Sequence, residues 1–202
     1  MKWITLACPL MIAALSAHGE SGTVVDEATR QPLEGVVVVA SFRGSVLNPL
    51  TPHSTCYHLD VAVSDSRGEF NVDRLSGDLK PWVTDRRRGL QFFKAGYRIS
   101  PAWKADTNPV LLRRFEGSVD ERFETELRLP MPGSDCDGYF EKQLPLARAM
   151  HQEASTIATS YEQRLRASML QFELERRTLG DTVAKKHWDS RLGELKKSHK
   201  ER

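Results

Sequence analysis

Cysteine is scarce in this chain of 202 residues, with three in all, and one of them, Cys8, lies in the apolar run that opens the sequence. A chain of this length can bury a core without covalent staples, so the fold must rest on packing. Charge of one sign is lacking too. The formal net charge is +2, which by itself implies neither a nucleic-acid partner nor a membrane surface. After the opening run, no stretch approaches the roughly 20 apolar residues of a membrane-spanning helix. The mature chain is therefore expected to carry no transmembrane segment. A glycine-rich phosphate loop, paired zinc ligands on a helix and a nucleophile elbow are all missing. Their absence points away from an enzyme, and no cofactor is expected.

What is present begins with residues 1–19, where Lys2 precedes an apolar run from Trp3 to Ala17 and small residues gather around Ala14, Ser16, Ala17 and Gly19. That outline is a secretory signal peptide, which predicts a periplasmic or secreted product. Cys8 sits too early in the run to be a lipid attachment site. With the signal removed only Cys56 and Cys136 remain, and in an oxidising compartment the expectation is that they are bonded.

The segment Gly22 to Phe42 reads as a strand through Val24 and Val25, a polar turn from Asp26 to Gly35, and a second strand through Val36, Val37, Val38 and Val39. Four β-branched residues in succession suit a pleated strand buried on both faces. SDSRGEF at Ser64 to Phe70 follows as a hairpin turn and FFKAGY at Phe92 to Tyr97 as a corner. This set of motifs resembles the carboxypeptidase regulatory-like family, whose members pair a Gly-x-Val-x-Asp strand and a Pro-Leu turn with a valine run. The resemblance covers about the middle half of the chain and implies a transthyretin-like β-sandwich serving as an accessory module, with no catalytic residues to carry over. Two positions depart from the pattern: Arg30 stands where glycine is usual, and Ala95 where proline is common. A side chain at position 30 opposes positive φ.

Between these motifs, Arg43 to Thr55 reads as a long surface loop. Tyr57 to Val63 alternates as a strand with Tyr57, Leu59, Val61 and Val63 turned to the core and His58, Asp60 and Ala62 on the other face. Asp73 to Gly89 is mostly polar, and its run Asp85 to Gly89, DRRRG, reads as a solvated loop. Leu90 to Lys94, Val110 to Phe115 and Arg122 to Leu129 complete a count of about seven antiparallel strands. Beyond the break at PMPG, the apolar positions Leu146, Met150, Ile157, Tyr161, Leu165, Met169 and Phe172 recur at helical spacing over Lys142 to Leu179, with Pro145 in the first turn. Gly180 is the expected stop and Asp181 the N-cap of a second helix bearing Val183, Trp188, Leu192 and Leu195. The expected organisation is a signal peptide at 1–19, a β-sandwich at 20–131 and a C-terminal α-helical hairpin at 132–202.

One constellation could hold a metal: His53, His58 and Asp60 surround Cys56, and a bond to Cys136 would bring Asp135 and Asp137 near, giving imidazole and carboxylate ligands suited to zinc or copper. The spacing matches no known metal signature, and a polar strip beside a disulfide accounts for the same residues. Lys94 raises a further possibility, an internal isopeptide crosslink. The function expected is a non-catalytic module that binds a protein or glycan of the cell envelope. The alternatives are a metal-dependent or hydrolytic enzyme at the His53 to Asp60 strip, and a scaffold or chaperone-like partner acting through the C-terminal helices.

Overall fold

A computed structural model describes residues 20–46, 53–73, 83–104, 107–126 and 134–200. Residues 1–19, on which the signal-peptide expectation rests, and Cys8 with them, lie outside the described residues. Among the described residues seven strands come first: β1 (Glu20–Asp26), β2 (Val37–Val46), β3 (His53–Val63), β4 (Glu69–Val72), β5 (Val83–Phe93), β6 (Tyr97–Ile99) and β7 (Val110–Arg114). Four helices follow: α1 (Val119–Glu126), α2 (Phe140–Ile157), α3 (Tyr161–Leu179) and α4 (Asp181–Lys200), with a 3-10 turn at Ser134–Tyr139 ahead of α2. The strands form a sheet of four, ordered β4-β1-β7-β6, and a sheet of three, ordered β3-β2-β5. Pairing is antiparallel except between β1 and β7, which run parallel. An all-antiparallel arrangement is thereby corrected. β7 is reached from β1 only after several intervening strands, a connection long enough to bring a parallel partner alongside.

The valine run explains how the two layers and the helices meet. Val36 and Val38 pack with Val24, Phe70, Phe92, Val110 and Leu112 in a cluster drawn from both sheets. Val37 and Val39 point the other way, against Leu59, Phe93, Cys136, Leu146 and Met150. Burial on both faces thus arises because α2 lies on the outer face of the three-stranded sheet. Leu59 and Val61 face this helix and not the space between the sheets. Opposite faces of β3 are therefore apolar in different company, which alternation alone cannot assign.

Cys56 and Cys136 are bonded across 80 residues, which ties the edge strand β3 to the 3-10 turn that leads into α2. Closing a loop of that length stabilises by about 4 kcal/mol in the chain-entropy account. The Tyr139 hydroxyl donates to the Tyr57 carbonyl at 2.6 Å and the Gln143 amide to the Cys136 carbonyl at 3.0 Å, so the junction is held by more than the sulfurs.

Several expected boundaries shift. Arg43 to Thr55 is not one long loop, since Arg43 to Val46 pairs with His53 to Cys56 in the β2–β3 ladder. DRRRG lies within strand β5, where Arg87, Arg88 and Gly89 pair with Arg43, Phe42 and Ser41 of β2 and Asp85 and Arg86 fall at a bulge. Arg122 begins no strand: Ser118 and Glu121 form a reciprocal cap in which the Glu121 carboxylate accepts from the Ser118 N–H at 2.8 Å and Ser118 Oγ accepts from the Glu121 N–H at 3.2 Å. That S-x-x-E capping box starts α1, and Phe123 buries against Ala154 and Ala167. The single long helix and hairpin become three helices, because Ala158 turns extended and Ser160 caps α3 with Gln163 completing a second capping box. Pro145 lies inside α2 and not in its first turn. Gly180 does stop α3, at φ 90°, while Asp181 is the first helical residue of α4 and not its cap.

Candidate functional site

The outer face of the three-stranded sheet changes character along its length. Following β2 against β5, the facing pairs are Val37 with Phe93, Val39 with Gln91, Ser41 with Gly89 and Arg43 with Arg87. The apolar end is covered by Leu146 and Met150 of α2. At the polar end a cleft of about 600 Å³ is lined by Ser41, Arg43, Ser45, Ser54, Arg87 and Gln91, with Gly44, Gly89, Arg88 and Asp85 completing its wall.

The backbone at that level is irregular on both sides of β2. On β3 the register slips between Phe42 and Arg43, so that Phe42 faces His58 while Arg43 faces Cys56 and Tyr57 is the extra residue. On β5 it slips between Arg43 and Ser45, leaving Asp85 and Arg86 opposite the single residue Gly44. Asp85 takes φ 47°, a left-handed conformation that aspartate tolerates better than most residues. Glycine is required at 44, where a Cβ would run into the Val83 side chain and the Thr84 carbonyl. Bulges increase local twist and re-aim side chains, and here two of them flank Arg43. The guanidiniums are steadied unequally. Arg88 pairs with Glu20 of β1 at 2.8 Å, linking the sheets, and Arg86 lies over the Tyr57 ring at 5.8 Å. Arg87 is exposed, and it stands directly across from Arg43 on the cleft face.

Of the candidate metal strip, the side chains of His58 and Asp60 are described. His58 is buried beside the rings of Phe42, at 5.5 Å, and Tyr139, at 6.3 Å, and its Nε2 has no hydrogen-bond partner. Asp60 instead accepts from the Asp73 N–H at 2.7 Å and faces Lys142 of α2 at 3.5 Å. The side chains of His53, Asp135 and Asp137 lie outside the described residues. Among the described residues no group of three or more His, Cys, Asp and Glu side chains is placed to hold a metal ion. Lys94 donates to the Glu34 backbone carbonyl at 2.7 Å.

Family models, curated proteins and solved structures offer no match to this chain. Function therefore has to be read from the geometry itself. Sequence reasoning missed the Arg43–Arg87 pair because both residues fell in segments assigned to loops. The available signal was DRRRG joined to the alternating residues after it, since a β5 begun at Val83 pairs with a β2 extended past Phe42 and brings the two arginines level.

Proposed function

We propose that the chain is a periplasmic or secreted, non-catalytic module that binds a protein or glycan of the cell envelope, built as a transthyretin-like β-sandwich of the carboxypeptidase regulatory-like kind. The observation that carries this reading is the cleft on the open half of the β3-β2-β5 face: its walls are paired strands and most of its side chains, those of the serines, arginines and Gln91, can donate hydrogen bonds, which suits holding a ligand in place. Support for the fold comes from the apolar cluster shared by the two sheets and from the turn glycines, with Gly68 at φ 72° after Asp65 and Gly96 at φ 76° before Tyr97. Among the described residues no helix is long and apolar enough to cross a membrane.

The test has two arms. Fractionation of cells expressing the whole chain, with N-terminal sequencing of the product, should find it outside the cytoplasm and cleaved near residue 19. A glycan array and a native envelope pull-down should each be repeated with Ser54→Trp, which fills the cleft from an exposed position on an edge strand. Ligands that bind the unaltered protein and not this variant are the expected result, and binding indifferent to it would contradict the cleft as the site.

A second reading, a scaffold acting through the C-terminal helices, draws on the exposure of Met169, Leu179 and Val183 on α3 and α4. It expects envelope partners to be lost from Met169→Lys and Val183→Lys variants and retained by Ser54→Trp.

A further inference from the structure

Resting on the cleft reading above, we infer that the cleft takes an acidic glycan, one sugar of which places a single oxyanion between Arg43 and Arg87. Like charges directly opposite on neighbouring strands destabilise a sheet. An edge strand has an ordinary use for charge, which discourages pairing with other chains, and that covers the arginines of β5. It does not cover Arg43. This residue is on the central strand of the three, half-buried, and sits where the strands on both sides carry an irregularity. From paired positions on neighbouring strands, Arg43 and Arg87 line the same cleft.

The chemistry of the lining narrows the ligand. Two guanidiniums on one face can each offer paired N–H donors to a carboxylate or sulfate, the planar recognition for which arginine is better suited than lysine. Around them, the hydroxyls of Ser41, Ser45 and Ser54 and the amide of Gln91 match a partner rich in hydroxyl groups. Gly89 lies opposite Ser41, where an added Cβ would come within 3.0 Å of the serine Oγ, so the floor of the cleft stays low between the polar walls. Asp85 at the wall disfavours a densely charged polyanion and leaves room for one charge flanked by neutral groups. At about 600 Å³ the space fits a short oligosaccharide segment.

The experiment is a calorimetric titration of the full chain with trigalacturonate, galactose 6-sulfate and maltotriose, made on the unaltered protein and on Arg43→Gln, Arg87→Gln and Ser54→Trp. The expected result is that at least one acidic sugar binds and maltotriose does not. Affinity should fall by about tenfold or more in either arginine variant and weaken as salt is raised from about 0.05 M to about 0.5 M. The two acidic probes separate a carboxylate site from a sulfate site. Arg87→Gln should melt no lower than the unaltered chain without ligand, because it removes a like-charge contact, and should lose the ligand-induced rise in melting temperature. If Arg43→Gln fails to fold, Arg87→Gln on the exposed edge still decides the matter. Acidic sugars that bind Arg87→Gln as well as the unaltered chain, or no binding by either, would overturn the inference. A neutral glycan lost from Ser54→Trp and retained by Arg87→Gln would overturn the oxyanion while leaving the module reading intact. Array and pull-down ligands all indifferent to Ser54→Trp would remove the module reading as well.

Discussion

Arg30 and Gly68 hold the same backbone conformation with opposite suitability for it. In the first turn the Asp26 N–H donates to the Gln31 carbonyl at 2.9 Å and the Arg30 N–H to the Asp26 carbonyl at 2.8 Å, while Asp26 Oδ1 accepts from the N–H groups of Ala28 and Thr29. The Thr29 backbone N–H is the main reason that the Asp26 carboxyl lies below its ordinary range, burial opposing it. So many bonds force Arg30 to φ 58°, against its side chain. Arg30→Gly should therefore stabilise by about 1 kcal/mol in a denaturant melt. Gly68 is the reverse case: it takes φ 72°, and a Cβ there would also meet the Val24 carbonyl oxygen. Gly68→Val should cost at least about 2 kcal/mol, and equal midpoints for the two variants would show that neither turn is built as described. The sequence made both positions legible, since motif and turn chemistry marked Gly68 and the missing glycine marked Arg30. It could not show that Arg30 accepts the strain, because the compensating bonds depend on the closed turn.

At the scale of elements, what was legible followed from side-chain periodicity and what was lost followed from capping. The valine run and the α2 stripe are recovered because their burial pattern is written in consecutive residues, while in the 57–63 strand the alternation shows a strand but not its company, with Leu59 against α2 and Val63 exposed. α1 and the α2–α3 break were missed because Ser118–Glu121 and Ser160–Gln163 act through reciprocal backbone bonds, and the apolar spacing runs on across the second of them. The junction of α2, α3 and α4 was equally hidden. There Glu175 accepts from Arg191 at 2.8 Å and from the Gln171 amide at 2.8 Å and faces His187 at 3.1 Å, joining side chains from two helices. His151 of α2, 3.0 Å from Ser155 Oγ, meets this group from a third helix. Its pKa is lowered, chiefly by burial and then by the Arg191 charge, with Glu175 and Gln171 acting the other way. A histidine whose folded pKa lies below its unfolded value of about 6.5 contributes stability that is present above that pH and lost as pH falls through the folded value. Stability measured by chemical denaturation should thus decline as pH falls below about 6.5, and His151→Gln should flatten that decline. An unchanged slope in the variant would assign it to other groups.

For the whole molecule, the placement of α2 decides how far the chain can be cut. The sequence divides sheets from helices near Met131, as though the two were separate units. Val37, Val39, Leu59 and Phe93 are instead buried against Leu146, Met150 and the disulfide, so removing everything after Met131 lays that face open. In a Cys56→Ser background, which separates loss of the disulfide from loss of the helix, the chain cut after Met131 should aggregate or melt without cooperativity. A chain cut after Gly180 keeps α2 and α3 and should melt cooperatively. Cooperative melting of the shorter piece, with a β-type circular dichroism spectrum, would show that α2 only rests on a self-sufficient core. The same covering helix leaves the arginine end of the sheet open, and the central claim is that a ligand sits there. Its most direct test is a two-dimensional amide NMR titration of the full chain with trigalacturonate and galactose 6-sulfate. The expected result is that shifts concentrate at Ser41, Arg43, Gly44, Arg87 and Gly89 and leave α3 and α4 unmoved; shifts confined to the basic end of α4 at Lys197 and Lys200, or none at saturating sugar, would contradict it.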